Sequence, residues 1–189
     1  MHVLAGKYKN QRLQSSLSPK VKPTVRRLRE ALFNYLGDQI EGARFLDLCA
    51  GSGSVGIEAL SRGAGHATFV ERSVKFCHFI MTNLDTCAVD EAEADVVADD
   101  AVLFLERAHA DETLAWDIIF YDPPYGIDYG PVLALIGAGA GLAMDSLLVV
   151  EHVTDLELPA AIGSISIIDA MEFGDSCLTV FAPRLNQIG

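Results

Sequence analysis

Cysteine and histidine are scarce in this chain and are nowhere clustered. The four cysteines, Cys49, Cys77, Cys87 and Cys177, form no C-x-x-C pair, and the five histidines do not lie at metal-ligand spacing. The spacing argues against a disulfide framework and against a zinc site. We therefore expect a cytoplasmic protein whose activity requires no metal.

Long apolar runs are also missing. The longest weakly polar stretch, 131–144, contains three glycines and is shorter than the roughly 20 residues that span a bilayer. No segment near the start pairs basic residues with the apolar run of a signal peptide. We expect no membrane contact. Half of the 189 residues are hydrophobic, which is enough for one well-buried core.

Acidic residues are absent from the first 29 positions, which carry eight Lys and Arg residues. The other 160 residues carry six basic and 26 acidic side chains, so the overall charge of −12 hides a strong asymmetry. A basic arm on an acidic body suits a polyanion that is bound at one end, and Lys7, Lys9 and Arg12 are candidate contacts. The alternative is a solvated, disordered basic tail.

Strand and helix patterns alternate from Arg44 onward, and this predicts an α/β fold with a mostly parallel sheet covered by helices on both faces. Two short strands around Gly6 predict a β-hairpin within an arm of residues 1–22. A helix that opens at Pro23 begins the main domain, 23–189. The seven predicted strands are 44–49, 67–71, 95–98, 116–121, 146–151, 162–168 and 177–181, and the helices between them are 55–62, 74–87, 101–108 and 129–137.

The stretch LDLCAGSGSVGIEAL, 46–60, follows a predicted strand and contains the pattern G-x-G-x-x-G. Gly51 and Gly53 allow a sharp turn and a close approach of backbone to ligand, and the next helix offers its N-terminus. Glu71, about 20 residues on, can accept from ribose hydroxyls in either a nicotinamide cofactor or S-adenosylmethionine. Asp47, inside the strand, favours S-adenosylmethionine because a carboxylate there can bind the methionine ammonium group.

Asp99, Asp100 and Ala101 follow the third strand. The pattern D-x-x-x-G-x-G at 47–53 resembles the first motif of class I S-adenosylmethionine-dependent methyltransferases. That resemblance implies that an Asp after the third strand accepts a hydrogen bond from the adenine amino group, and we prefer Asp100 for this role. An ordinary helix N-cap is an equally good explanation of Asp100, and the two roles are compatible.

The fourth strand ends in Asp122-Pro123-Pro124-Tyr125. The prolines remove two backbone donors, so the Asp122 carboxylate and the Pro123 carbonyl remain as acceptors beside an aromatic ring. This set suits an unstacked base with an exocyclic amine, held by its two hydrogens so that the nitrogen lone pair faces a methyl donor. The alternative is a Pro-rich turn with a core tyrosine.

These motifs together resemble the bacterial 16S ribosomal RNA guanine-N2 methyltransferases that modify guanine 966. The resemblance spans nearly the whole chain. It is carried by Leu4-Ala-Gly6, Arg12-Leu13, Lys22-Pro-Thr24, RRLREALFN (26–34), LDLCAGSGSVGIEALSRGA (46–64) and FYDPPY (120–125). Lys22 replaces a usual Arg, and Lys9-Asn10 replaces a usual Arg-Gly.

The resemblance implies a Rossmann-like class I methyltransferase that uses S-adenosyl-L-methionine and acts on 16S ribosomal RNA, free or in an assembling small subunit. By position, the resemblance implies that Lys22, Thr24 and Arg26 contact the target RNA. It also implies that the Asp122–Tyr125 loop is the catalytic loop. The expected donor-site residues are Asp47, Ala50, Gly51, Gly53, Glu71, Arg72, Asp99, Asp100 and Ala101. We expect a monomer.

Three alternatives to this function remain at this point. An adenine-N6 methyltransferase is one, because Asp-Pro-Pro-Tyr serves either amine. A nicotinamide-dependent oxidoreductase is the second, although it leaves that tetrapeptide without a role. A non-catalytic RNA-binding module is the third. Tight binding of S-adenosylhomocysteine without binding of NAD(H) separates the methyltransferases from the other two.

Overall fold

The computed structural model describes residues 1–15, 23–111 and 113–184 of the chain. Two short 3-10 segments, Gly37–Ile40 and Glu91–Glu93, accompany five α-helices. The helices are α1 (Pro23–Leu36), α2 (Ser54–Ser61), α3 (Val74–Cys87), α4 (Ala101–Ala110) and α5 (Gly130–Gly137). The predicted start of α1 at Pro23 and the bounds of α3 agree with the structure. No helix in these ranges is both long enough and apolar enough to cross a bilayer.

The strands form one sheet in the order β3-β2-β1-β4-β5-β8-β7-β6, in which β1 to β5 are parallel and the last three are antiparallel. The predicted α/β class with a mostly parallel sheet is confirmed. The sheet has eight strands rather than the predicted seven, because a two-residue edge strand, β6, precedes the final pair. The strands are β1 (Arg44–Leu48), β2 (His66–Val70), β3 (Ala94–Val97), β4 (Trp116–Tyr121), β5 (Leu142–Val153), β6 (Ala161–Ile162), β7 (Ile165–Phe173) and β8 (Ser176–Pro183).

Alternate residues of each strand feed two separate cores, one on each face of the sheet. Phe45 and Phe120 pack into the core under α1, α2, α3 and the N-terminal arm. Their neighbours Leu46 and Tyr121 pack into the core under α4 and α5. The central strands are therefore apolar on both faces, as a covered parallel sheet requires.

The predicted N-terminal hairpin is shorter than expected, because His2 and Arg12 form a single isolated antiparallel bridge. The Val3 amide still donates across the hairpin to the Gln11 carbonyl at 3.0 Å. The amides of Leu4 and Ala5 instead donate to the Glu58 carboxylate at 2.8 and 3.1 Å. Gly6 then lies so close to α2 that a Cβ there would come within 1.7 Å of the Ser61 carbonyl oxygen. The arm is thus fixed by α2 as well as by its own cross-strand hydrogen bonds.

Glu58 is the centre of this attachment. Its side chain is fully buried, Arg62 Nε donates to it at 2.8 Å, and Arg29 Nε lies 3.9 Å away. Arg29 is itself buried and donates to the His2 carbonyl at 2.7 Å. Arg29 is one of the eight basic residues in the first 29 positions, but its side chain neutralises a core carboxylate and is not available to a polyanion.

Asn83 of α3 makes a second attachment. Its Oδ1 accepts from the Gln14 amide at 2.7 Å, and its Nδ2 donates to the carbonyls of Gln14 and Ser52 at 3.0 and 2.9 Å. Asn83 is fully buried. One side chain therefore joins the end of the arm to the Gly-rich loop.

Glu58→Ala should lower the free energy of unfolding by about 3–5 kcal/mol, because it leaves a buried guanidinium and two backbone amides without their acceptor. Urea denaturation measures this change. The matched control is Glu30→Ala, which removes a surface carboxylate that pairs with Arg26 at 3.0 Å and should cost within about 0.5 kcal/mol. Equal losses for the two variants would contradict the central role of Glu58.

Candidate active site

A crevice opens at the carboxyl ends of β1 and β4, where the strand order reverses direction. The chain runs outward from β1 through β2 to β3 and then returns to β4 on the other side of β1. In open parallel sheets the ligand binds at such a switch point, outside the carboxyl ends of the strands. The Gly-rich loop follows β1, and Asp122–Tyr125 follows β4. The topology therefore brings the two main sequence motifs together.

The Gly-rich loop turns through three residues with left-handed backbone angles. Cys49 has φ of +63°, Gly51 has +56° and Gly53 has +74°. A Cβ on Gly51 would meet no protein atom within 4 Å, whereas one on Gly53 would press on Ile80 and Phe69 at 3.1 to 3.2 Å. Gly51 therefore keeps space clear in front of the loop, and Gly53 allows the loop to pack on the sheet.

Asp47 lies beneath this loop and acts on the backbone. Its Oδ2 accepts from the Gly56 amide at 2.9 Å, in the first turn of α2, and the side chain is buried. Gly53 is the N-cap residue of α2 and has no side chain with which to cap it, so Asp47 supplies that acceptor from β1. Burial raises the pKa of Asp47 well above its usual range, and the nearby Asp122 and Glu71 add to the shift. A direct contact of Asp47 with a donor ammonium group remains a prediction.

Glu71 follows β2 and also holds the loop. Its Oε2 accepts from the Gly51 amide at 2.9 Å, and its Oε1 accepts from the Ser73 amide at 2.8 Å. Each oxygen retains a second lone pair for a ligand hydroxyl. The expected ribose contact thus stays a prediction, now with a loop-fixing role beside it.

Asp99 and Asp100 lie at the end of β3 in different roles. Asp100 Oδ1 caps α4 by accepting from the Val102 amide at 2.9 Å, so its predicted N-cap role is confirmed. Asp99 pairs with Arg107, and this hydrogen bond lowers the pKa of Asp99. The free oxygen of Asp100 is the better remaining candidate for an adenine amino group.

A cavity of about 80 Å³ joins several of the predicted residues. Five expected donor-site residues line it, and Pro124 of the tetrapeptide closes one side. The lining residues are Cys49, Val70, Glu71, Arg72, Asp99, Asp100, Ala101, Val102, Tyr121, Pro124, Ile127, Asp128 and Val132. Asp47, Ala50, Gly51 and Gly53 lie outside this lining.

Sequence reasoning missed the apolar members of the cavity wall. Val70 and Tyr121 are the last residues of β2 and β4, so they mark the carboxyl edge of the sheet. Ile127 and Val132 belong to the loop and helix after the tetrapeptide. Their position at strand ends was the signal that would have identified the first two.

Asp122 and Tyr125 of the tetrapeptide are open to the crevice. Tyr125 is 93% exposed, and Pro123 is buried. Solvent reaches the Asp122 side chain from the open side, but protein atoms surround it elsewhere, and this desolvation raises its pKa to about 7. A base can therefore approach both the carboxyl group and a free aromatic face.

The basic candidates lie on the arm and on α1. Lys9 and Arg12 are exposed, Lys7 lies 3.7 Å from Glu93, and Arg26 pairs with Glu30 on the surface of α1. Lys22 and the Thr24 side chain lie outside the described part of the structure. The predicted RNA contacts are therefore untested.

Comparison with known proteins gives one family and close structural likenesses. A family described as "Conserved hypothetical protein 95" matches residues 1–182. The Bacillus subtilis protein YlbH is 35% identical over 97% of this chain and 100% of its own length. Ribosomal RNA small subunit methyltransferase D of Escherichia coli K12 is 34% identical over 84% of this chain and 78% of that protein. The solved structure of yhhF from Escherichia coli has a TM-score of 0.83 at 28% identity, over 98% of this chain and 99% of that one.

Gly51→Ala should weaken S-adenosylhomocysteine binding by roughly tenfold or more, because the new methyl group fills space that the loop keeps clear. Titration calorimetry measures this affinity. Gly37→Ala is the matched control, since Gly37 also has positive φ, +50°, and open space around its Cβ position. Both variants should lose about 1 kcal/mol of stability from backbone strain. Unchanged affinity in Gly51→Ala would remove this position from the donor site.

Proposed function

The chain belongs to the Conserved hypothetical protein 95 family, as its resemblance to the guanine-N2 methyltransferases predicted, and we propose that it methylates the N2 amine of a guanine in 16S ribosomal RNA. S-adenosyl-L-methionine is the methyl donor. The enzyme is a class I methyltransferase, and the target corresponds to guanine 966. The relatives' names support action on the small-subunit RNA.

One observation carries the proposal. Pro124, within Asp122–Tyr125, lines the same cavity as Glu71, Asp99 and Asp100. The residues expected to bind the donor and the loop expected to hold the target amine therefore share one crevice. In a nicotinamide-dependent oxidoreductase, the Asp122–Tyr125 loop would have no role.

The residues present fit S-adenosylmethionine in charge, and the loop leaves room for its approach at Gly51. Asp47, Glu71, Asp100 and Asp122 surround the carboxyl edge of β1 and β4, and their negative charge favours a ligand with a sulfonium and an ammonium group. Gly51 leaves the loop without a Cβ where the ligand approaches. When bound, this donor supplies an electrophilic methyl group.

Asp122 and Pro123 hold the target amine. The ionised carboxylate of Asp122 and the carbonyl of Pro123 accept one amine hydrogen each. These bonds pull the hydrogens out of the base plane, so the nitrogen lone pair is less delocalised into the ring and can face the methyl donor. Asp122 then takes the proton that the nitrogen loses as its new bond forms. Tyr125 stacks on the base, a contact worth about 1–3 kcal/mol.

The basic side chains of the arm bind the RNA backbone. Lys9 and Arg12 are exposed, and Arg26 is on the surface of α1. Asn83 ties the end of the arm at Gln14 to the Gly-rich loop, so RNA that contacts the arm lies near the donor site. We propose that a monomer in the cytoplasm acts on 16S RNA, free or within an assembling small subunit.

Nucleoside mass spectrometry after incubation with labelled S-adenosylmethionine tests the function. Deproteinised 16S RNA, small-subunit particles without the modification, and double-stranded DNA are offered in parallel. We expect label in N2-methylguanosine from one or both RNA substrates. Label in N6-methyladenine would overturn the choice of base, and no label in any substrate would overturn the proposed activity.

Asp122→Ala should leave S-adenosylhomocysteine affinity within about twofold and lower the rate of transfer roughly 100-fold or more, because the amine loses an acceptor. Single-turnover assays measure the rate. In the wild type, kcat/KM should rise as pH increases through about 7, since only ionised Asp122 accepts. Asp122→Asn should abolish this rise.

Asp145→Ala is the control for charge, because Asp145 is an exposed carboxylate at the far end of β5. It should retain the wild-type rate and pH profile. Near-normal turnover in Asp122→Ala would refute the role of Asp122 as an amine acceptor.

A further inference from the structure

We propose that Glu151 determines base specificity by accepting a hydrogen bond from the N1–H of the target guanine. The inference rests on the proposed function, since it concerns the base whose N2 amine Asp122 holds. Glu151 was not among the residues that the sequence marked for the site. Its assignment follows from strand pairing, surroundings and the chemistry of the guanine edge.

Strand pairing places Glu151 beside Asp122. β4 and β5 are parallel, and Tyr121 is in register with Val150. The next residues of the two strands are Asp122 and Glu151, so both lie at the carboxyl edge. The charge of Asp122 contributes to the raised pKa of Glu151, and this independently indicates that the carboxyl groups are near each other.

The two side chains also point to the same face. Phe120 and Val149 belong to the core under the arm and α1, whereas Tyr121 and Val150 belong to the opposite core. Continuing this alternation by one residue puts Asp122 and Glu151 on the face of the arm and α1. In the proposed function, the basic side chains of the arm bind the RNA on this side of the sheet.

The Glu151 carboxyl group carries no structural bond that the described residues reveal. Across 1–15, 23–111 and 113–184, no hydrogen bond or ion pair reaches either of its oxygens. Tyr129 instead donates its hydroxyl to the backbone carbonyl of Glu151 at 3.1 Å. Burial, with the charge of Asp122 second, raises the pKa of Glu151 to about 8. A half-buried carboxyl group without a donor is one that a ligand can satisfy.

Guanine offers the missing donor at the required place. Its N1–H adjoins the N2 amine, so a carboxylate next to the amine-holding Asp122 meets a hydrogen. In adenine the ring nitrogen beside the N6 amine is an acceptor, and its lone pair would face the same carboxylate. Ionised Glu151, the form that predominates above its pKa of about 8, therefore attracts guanine and repels adenine, and the test is run above that pH.

The test compares two bases at one position. The 16S RNA or particle that the wild type modifies is assembled by ligation with guanine or 2-aminopurine at the target. 2-Aminopurine keeps the 2-amine but has an acceptor at N1 and lacks O6. Initial rates of methyl transfer give kcat/KM for each base, and comparing enzymes cancels the common effect of O6.

The wild type should prefer guanine over 2-aminopurine by roughly 10- to 100-fold. In Glu151→Ala, kcat/KM on guanine should fall by roughly the same 10- to 100-fold, whereas kcat/KM on 2-aminopurine should stay within about threefold of the wild-type value. Glu151→Gln should gain on 2-aminopurine, because its amide can donate to N1, and a merely structural role would not produce that gain. Asp155→Ala, which removes an exposed carboxylate four residues away, should keep the wild-type preference.

Equal losses on both bases in Glu151→Ala, with no gain on 2-aminopurine in Glu151→Gln, would overturn the inference. The proposed function is judged separately, by whether the wild type forms N2-methylguanosine on unmodified RNA. If the wild type forms N2-methylguanosine but the Glu151 variants keep the wild-type base preference, the proposed function stands and only the role of Glu151 is refuted.

Discussion

The hydrogen bond from the Gly56 amide to Asp47 is the contact on which the site depends. It connects the end of β1 to the first turn of α2 across the Gly-rich loop, so the loop cannot change without moving a strand or a helix. Gly56 is itself required, because a Cβ there would come within 2.3 Å of the Phe69 ring. The hydrogen bonds that hold the loop thus need no ligand, and such preorganisation lowers the ordering cost of binding.

Glu71 completes this preorganisation from the neighbouring strand. It accepts from Gly51, whereas Asp47 accepts from Gly56, so two strand-end carboxylates fix the two ends of one loop. The charges of Asp122 and Glu71 both act on Asp47, and they add to the burial that raises the pKa of Asp47. The same crowding of negative charge that costs stability favours a cationic donor, a trade-off common at functional sites.

The sequence predicted the fold class, the mostly parallel sheet and the two main loops because these features are local. Apolar runs mark strands, and Gly51, Gly53, Pro123 and Pro124 are residues whose backbone preferences identify a turn. The sequence did not identify Glu151 as a site residue, because Glu151 lies inside an apolar strand and only the pairing of β5 with β4 places it beside Asp122. The burial of Arg29 could not be predicted for a similar reason, since its partner Glu58 is distant in sequence. Long-range partners are not encoded in any local pattern.

The attachment of the arm to α2 has a consequence for synthesis of the chain. Leu4 and Ala5 bond to a residue that follows them by 54 and 53 positions. At roughly 5–20 residues per second, the arm emerges a few seconds before its anchor exists. During that interval a segment rich in lysine and arginine is free beside the RNA of the translating ribosome, and nonspecific attraction competes with folding. Docking of the arm onto Glu58 then ends the competition, so the basic arm reaches its final position only when the domain has folded.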